Sequence, residues 1–195
     1  MIYMDKSIPP PNNTSSKNMD TLKESTISET ITTATTENKL YDKWTLWGHL
    51  PHDTNWTFES YIRILTFNTV EEIIMLLETL PNEVITNCML FIMRDGIKPM
   101  WEDPKNVKGG CFSYKINNKN VVSIWKNLSY SLVGESLTDQ VNARPAINGI
   151  TISPKKNFCI VKIWFSNCNY QNPSIIIDDI GISSQGCLFK THISA

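Results

Sequence analysis

Hydrophobic and polar residues alternate along several stretches of the chain with the two-residue period of a β-strand. Between Leu40 and Trp47 this alternation places Asp42, Trp44 and Leu46 on one face and Trp47 on the other. One of the two tryptophans is therefore expected in the core, and the other facing outward or into a site. Similar patterns predict further strands at residues 58–67, 87–93, 112–116, 148–153, 158–165 and 187–193.

Two stretches have the longer period of an amphipathic helix. Thr69 and Glu72 have the spacing of a capping box, which predicts a helix from this point to about Leu80, just before Pro81. Its core-facing stripe is Ile73, Leu76, Leu77 and Leu80. A second helix is predicted over residues 121–133.

The ends of this second helix, and the order of the elements, define the expected domain. Asn120 is the predicted N-cap and Gly134 the predicted stop. Strands outnumber helices, and the helices fall between groups of strands, so the fold class is α+β with a largely antiparallel sheet over residues 39–195. Residues 1–38 are rich in Ser, Thr, Asn, Lys and Glu and lack a hydrophobic period, which predicts a disordered arm.

Composition narrows the functional classes. The 195 residues have a formal net charge of −1 and a pI near 6.3, so bulk charge gives no general affinity for long nucleic acids. A short, chemically distinct nucleic-acid end is not excluded. The five cysteines are dispersed, which is typical of free thiols in a reducing compartment. No apolar run reaches the roughly 18 residues of a membrane span, so we expect a soluble, intracellular protein.

The residues that enzymes need are sparse. His49 and His52 flank a loop proline without metalloprotease spacing, and no convergent set of carboxylates or phosphate-binding glycine loop is visible. We therefore expect a binding protein that carries no metal and no cofactor, and not an enzyme.

A turn-rich loop, from Asp95 to Gly110, holds a Trp101–Glu102 pair. An indole can stack on a flat ring, and a neighbouring carboxylate can accept hydrogen bonds from the ring NH and exocyclic amine of guanine. Of the six tryptophans, Trp44 and Trp125 are expected in the core. The other four lie at strand ends or in loops, where exposing an indole suggests a purpose: Trp47, Trp56, Trp101 and Trp164.

Together these motifs resemble the eukaryotic translation initiation factor 4E family, which binds the 7-methylguanosine cap of mRNA. The resemblance runs from about Leu40 to Trp164. It is carried, in the family's order, by the W-x-x-W motif, TVEE, DGIKPMWEDPKNVKGG, LVGES and IVKIW. It implies a curved antiparallel sheet with the cap pocket on its concave side and helices on its convex side.

The resemblance also implies roles for individual residues. Trp56 and Trp101 match the pair that stacks on the base, and Glu102 matches the carboxylate that takes the guanine edge. Trp47 matches the aromatic residue at the base of the pocket, and Trp164 the tryptophan near the methyl group. Because N7 methylation makes the guanine ring cationic, stacking gains a cation–π contribution and the hydrogen bonds to the carboxylate strengthen.

The phosphate-binding residues of the family are only partly matched. Lys155 matches one of them, whereas the other two positions are occupied by Ile160 and Cys111. Lys162, one pleat from Ile160, or Lys156 is expected to supply the missing charge.

The face that docks the family's scaffold factor also departs from the pattern. Val70 matches, Ile74 replaces a tryptophan, and Lys126 and Tyr130 replace apolar residues. Val70 and Ile74 are either buried, the simpler reading, or offered to a partner. The partner would be the scaffold initiation factor or a divergent peptide. The tail beyond Ser166 is shorter than the family's, and its third helix is expected to be reduced.

The expected function is to bring capped mRNA to translation initiation, as a cytoplasmic monomer without membrane association. A cap-sequestering translational repressor is the alternative, favoured if the altered docking face cannot recruit a scaffold. A cap-processing enzyme is a third reading.

Overall fold

The computed structural model describes residues 37–193, and the expected disorder of the arm concerns residues that lie largely outside this part of the chain. Within it, seven strands form one antiparallel sheet in the order β2-β1-β3-β5-β6-β4-β7. The strands are β1 Lys39–His49, β2 Tyr61–Thr69, β3 Met89–Arg94, β4 Gly110–Ile116, β5 Ile147–Pro154, β6 Cys159–Phe165 and β7 Leu188–Thr191. The predicted α+β class and curved antiparallel sheet are confirmed.

Three α-helices accompany the sheet within the described residues: α1 Val70–Thr79, α2 Asn82–Asn87 and α3 Val121–Val133. The capping box forms as predicted, because the Thr69 hydroxyl accepts from the Glu72 amide while the Glu72 carboxylate accepts from the Thr69 amide. Asn38 continues β1 towards this helix start, where its side chain donates to Glu71 over 2.7 Å.

The main core lies between the helices and one face of the sheet. Trp44 and Trp125 are both fully buried in it, as predicted, and belong to the same apolar cluster as the inner residues of α1. The sheet contributes alternate residues of each strand, so Leu46 lies opposite Ile92, and Ile92 opposite Ile150. The opposite, concave face carries a much smaller apolar cluster.

Helix α2 was not predicted. Its six residues, NEVITN, are too few for a helical period to be visible, and three of them are β-branched. Pro81 occupies its N-cap and fixes the backbone there. The predicted strand at 87–93 consequently begins two residues later, at Met89.

Helix α3 spans the predicted residues, with Asn120 at its N-cap and Gly134 at its C-cap, but the capping itself differs from the expectation. Asn120 makes no side-chain cap, whereas Asn117 caps a short 3-10 turn that leads into the helix. Gly134 is the C-cap but has a φ of −79°, and the left-handed residue is Glu135, with a φ of 54°. A non-glycine residue at this position is strained, so something must hold Glu135 there.

The partly buried Arg94 holds it. Arg94 forms ion pairs of 2.6 Å with Asp42 and 2.7 Å with Glu135. It also donates to the carbonyl of Ile147 over 2.8 Å, and its guanidinium lies 4.5 Å from the centre of the Trp44 ring. This cluster ties β1, β3, β5 and the end of α3 together.

The tail after β6 contains two 3-10 turns, Pro173–Ile175 and Asp178–Ile180, before it returns as β7 on the outer side of β4. Ile175, Ile176 and Ile180 are buried against the main core. Short turns therefore cover this part of the core where a longer tail could form a helix.

Candidate functional site

The loop between β3 and β4 is held by buried polar side chains. Asp103 is nearly buried, and its carboxylate accepts the backbone amides of Lys98, over 3.0 Å, and Lys105, over 2.8 Å. At the end of the loop, a Cβ on Gly109 would overlap the carbonyl oxygen of Phe165, so only glycine allows this close approach.

Asn106 is the centre of the loop's hydrogen bonding. It is fully buried, and its amide nitrogen donates to the carbonyls of Lys98, over 3.0 Å, and Met100, over 2.7 Å. Its side-chain oxygen accepts from the Asn148 amide over 2.9 Å. The backbone carbonyl of Asn106 bonds the His192 ring over 2.7 Å. The loop is thus fastened to β5 and to the residue after β7.

Trp101 and Glu102 lie at the outside of this fastened loop. Trp101 is 51% exposed, and Glu102 is exposed as well. Burial, and secondly the negative charge of Glu102, raise the pKa of Tyr61. An indole and a carboxylate are therefore presented side by side, on a backbone that is rigidly held.

Beneath them is the apolar cluster of the concave face, formed by Phe91, Met93, Ile97, Cys111 and Trp164. Trp164 is buried, and its indole donates to the Thr151 hydroxyl over 2.8 Å. Trp47 is partly buried and packs against this cluster.

A second loop, between β1 and β2, approaches the first. Phe58 lies 5.6 Å from the Trp47 ring, and the Lys98 ammonium lies 4.4 Å from the centre of the Phe58 ring. The first distance joins the two ring centres. The second, from the ammonium nitrogen to the ring centre, is short enough for a cation–π contact.

Trp56, in this second loop, is placed differently from its expected partner Trp101. It is 53% exposed and stacks on the buried ring of His49, at 4.3 Å between centroids and 3° between planes. His49 is held in turn, because its Nε2 bonds the carbonyl of Asn55 over 2.8 Å. One face of Trp56 is therefore already covered by the protein.

Two cavities divide the predicted site residues between them. Trp56 borders a cavity of about 820 Å³, together with Lys155 and Lys156. Trp101 borders one of about 520 Å³, together with Lys162 and Trp164. Trp56 therefore shares a cavity with Lys155 and Lys156, and Trp101 shares one with Lys162. The two expected stacking tryptophans do not border the same cavity.

His192 borders the smaller cavity beside Trp164, with 4.8 Å between the ring centres. Burial, and then the nearby charge of Lys162, lower the pKa of His192 below its usual value, which favours the neutral ring. Because a carbonyl only accepts, Nδ1 carries the proton and Nε2 is left as a buried acceptor with no partner among residues 37–193.

The expected partner face forms one surface on the other side of the domain. Val70 and Ile74 are exposed on α1, one turn apart. One further turn along, Glu78 pairs with Lys126 of α3 over 2.9 Å and lies 3.5 Å from the Tyr130 hydroxyl. Val70 and Ile74 are therefore exposed on the surface and are not buried in the core.

Comparison with known families agrees with these features. The family model described as Eukaryotic initiation factor 4E matches residues 39–192. The chain belongs to this family. The resemblance drawn from the sequence motifs is therefore confirmed.

Curated members of the initiation factor 4E family are distant relatives of this chain. The homolog of Acanthamoeba polyphaga mimivirus is 29% identical over 150 residues, which cover 69% of this chain and 51% of the relative. The factor of Candida albicans is 29% identical over 143 residues, covering 68% and 66%. The human factor is 27% identical over 139 residues, covering 68% and 62%. The chain thus spans between half and two thirds of these relatives' length.

Solved structures show the same fold. Ascaris suum eIF4E-3, in complex with the m7G cap, matches with a TM-score of 0.70 and 20% identity, over 82% of this chain and 93% of that one. C. elegans eIF4E-3, in complex with the 4E-binding protein Mextli and a cap analog, matches with a TM-score of 0.68 and 23% identity, over 80% and 94%.

The sequence patterns missed the residues that support the site. Asn106, Asn148 and His192 are far apart in sequence and come together only through the sheet. His49, which flanks a loop proline in the sequence, lies buried at the end of β1. Its alternation with Trp47 along the strand was the available signal. Over the described residues no helix is long and apolar enough to cross a membrane, and no group of metal-binding side chains is found.

Proposed function

We propose that this chain binds the 7-methylguanosine cap of mRNA on the concave face of its sheet. The observation that supports it best is the exposed Trp101–Glu102 pair, held by Asp103 and Asn106 above an apolar floor that includes Trp164. Membership of the initiation factor 4E family supports the same ligand. Trp101 stacks on the base, Glu102 accepts from its edge, and Trp164 lies near the methyl group.

The second stacking residue in this proposal is Trp56. Its outer face is free, while His49 covers the inner one. For the base to lie between Trp56 and Trp101, the loop that carries Trp56 must move towards the smaller cavity, and Trp47 then forms the base of the pocket. Lys155, Lys156 and Lys162 are the proposed phosphate contacts.

The physical basis for selectivity is the charge of the methylated ring. A desolvated cation–π contact is worth about 2 kcal/mol or more, which corresponds to roughly 30-fold in affinity. The same charge makes the guanine NH groups better donors to Glu102. Unmethylated guanine lacks both effects, so it is expected to bind more weakly.

The test is a titration with 7-methyl-GTP and with GTP, followed by tryptophan fluorescence and by calorimetry. We expect selective binding of the methylated ligand. Trp101→Ala and Glu102→Gln should each lower its affinity by about 10- to 100-fold. Glu83→Gln, an exposed carboxylate on α2, is the matched control. Equal affinity for both ligands in the unmodified protein would refute cap recognition.

We further propose that the protein acts in translation initiation as a non-enzymatic cytoplasmic monomer. A scaffold initiation factor or a divergent peptide would dock on the face formed by Val70, Ile74, Lys126 and Tyr130. Incubation with a capped dinucleotide should return it intact, and cleavage would show a cap-processing enzyme instead.

A cap-sequestering repressor is the second candidate, and the Lys126–Glu78 ion pair favours it. This pair places charge where an apolar peptide side chain would need to bury. Measured binding of a scaffold-factor peptide decides between the two. Affinity in the micromolar range or tighter supports an initiation factor. Absent binding, recovered by Lys126→Leu, supports a repressor.

A further inference from the structure

Strands β6, β4 and β7 lie side by side and carry three lysines into the smaller cavity. Lys162 comes from β6, Lys115 from β4 and Lys190 from β7. The described residues that line this cavity include no aspartate or glutamate. In a chain whose formal net charge is −1, this is a local concentration of positive charge.

Two of these lysines flank the same segment of β4. Cys111 of β4 pairs with Trp164 on one side and with Lys190 on the other. Two residues along, Ser113 pairs with Lys162. Burial raises the pKa of the Cys111 thiol, and the charges of Lys162 and Lys190 both act against that rise. Strand pairing thus places Lys190 beside Cys111 and Lys162 beside Ser113, on either side of the same segment of β4.

No carboxylate among residues 37–193 forms a salt bridge with these lysines. Among the described residues, neither Lys162 nor Lys190 takes part in a salt bridge, while Lys115 lies 4.6 Å from the centre of the Phe158 ring. Two unpaired ammonium groups around one part of a cavity repel each other, and an anion that lies between them removes that cost. The Ser113 hydroxyl, on the same face, can donate to such an anion.

We propose that Lys162 and Lys190 form the principal phosphate site of this chain, and that Lys190 of β7 is a phosphate-binding residue. The inference rests on the proposed function, since the phosphate chain is that of the capped end whose base stacks on Trp101. Trp101 and both lysines border one cavity, so a ligand that stacks there extends its phosphates across β4 towards β7. Lys155 and Lys156 border the other cavity and are secondary contacts.

The experiment compares 7-methyl-GMP with 7-methyl-GTP, in the unmodified protein and in Lys190→Gln. We expect Lys190→Gln to lower the affinity for the triphosphate about 5- to 10-fold at low salt and to change that for the monophosphate less than 2-fold. The difference should shrink as salt is added, because the lost contact is electrostatic. Lys119→Gln, on an exposed turn, is the matched control.

Two outcomes would overturn the inference. Equal losses for monophosphate and triphosphate would mean that Lys190 only supports the fold, and an unchanged triphosphate affinity would mean that it makes no contact. Lys155→Gln tests the alternative. If it lowers the affinity for the triphosphate more than Lys190→Gln does, the main phosphate site lies in the other cavity.

Inorganic triphosphate separates this inference from cap recognition. If it binds the unmodified protein and binding falls in Lys190→Gln, the anion site stands even if methylated and unmethylated guanosine triphosphates bind alike. If methyl selectivity is present but Lys190→Gln has no effect on either triphosphate ligand, cap binding stands and the anion site is refuted.

Discussion

Replacing Asn106 by alanine is expected to damage the site without removing any group that contacts the ligand. The buried side chain makes three hydrogen bonds, two to loop carbonyls and one from Asn148. Each contributes about 1 kcal/mol net, and each partner left buried without a bond costs about 1–3 kcal/mol. We therefore expect Asn106→Ala to lower the free energy of unfolding by about 3 kcal/mol, mainly by destabilising the loop.

The position of the loss can be measured. Urea denaturation reports the global free energy of unfolding, and amide hydrogen exchange reports the opening of residues 95–109. In Asn106→Ala the exchange of the loop amides should accelerate more than that of β3 or β5, and the affinity for 7-methyl-GTP should fall about tenfold or more because Trp101 and Glu102 lose their fixed positions.

Asn142→Ala is the matched control, since this exposed side chain makes no hydrogen bond among the described residues. The reasoning is refuted if Asn106→Ala loses less than about 1 kcal/mol of stability and keeps its affinity. Loss of stability with unchanged affinity would show that the loop's bonds maintain the fold but are not needed to position Trp101.

Two further predictions concern stability. The amide of Asn68 and the capping box hold the pKa of Glu72 below its usual 4.5. The stability that Glu72 contributes is therefore present above pH 4.5 and is lost as pH falls through the lower pKa of the folded state. In acid denaturation, the difference in stability between the unmodified protein and Glu72→Gln should shrink below pH 4.5. Glu135→Ala leaves the partly buried Arg94 with one partner fewer and should lower the free energy of unfolding by about 3 kcal/mol. Glu135→Gly loses the same ion pair but removes the left-handed strain, so its loss in urea should be about 1 kcal/mol smaller, and equal losses would contradict this.

Local signals in the sequence were sufficient for most of the fold. The capping box at Thr69, the hairpin of β5 and β6, and the alternation around Trp44 each depend on residues close together in the chain. The sequence patterns do not indicate the short helix α2 or the left-handed conformation of Glu135 after α3, since tertiary contacts decide both. Nothing near Glu135 in sequence indicates that Arg94 will hold it in a left-handed conformation.

The candidate site was predictable where its residues belong to one motif. Trp101 and Glu102 are adjacent, and the loop around them is distinctive. The relation of Trp56 to His49, and of Lys190 to Lys162, could not be read from spacing, because it depends on which strands become neighbours. The order β6-β4-β7 brings together segments that are dozens of residues apart.

That strand order also has a consequence for how the protein forms during synthesis. The Asn106–His192 bond closes a separation of 86 residues, and β7 is the last strand of the sheet to leave the ribosome. Until then β4 has a bare outer edge, and the loop with Trp101 lacks its final attachment. Contacts this distant in sequence form slowly. The side of the smaller cavity formed by β4 and β6 can therefore form before the side formed by β7. The site is complete only after β7 has paired with β4.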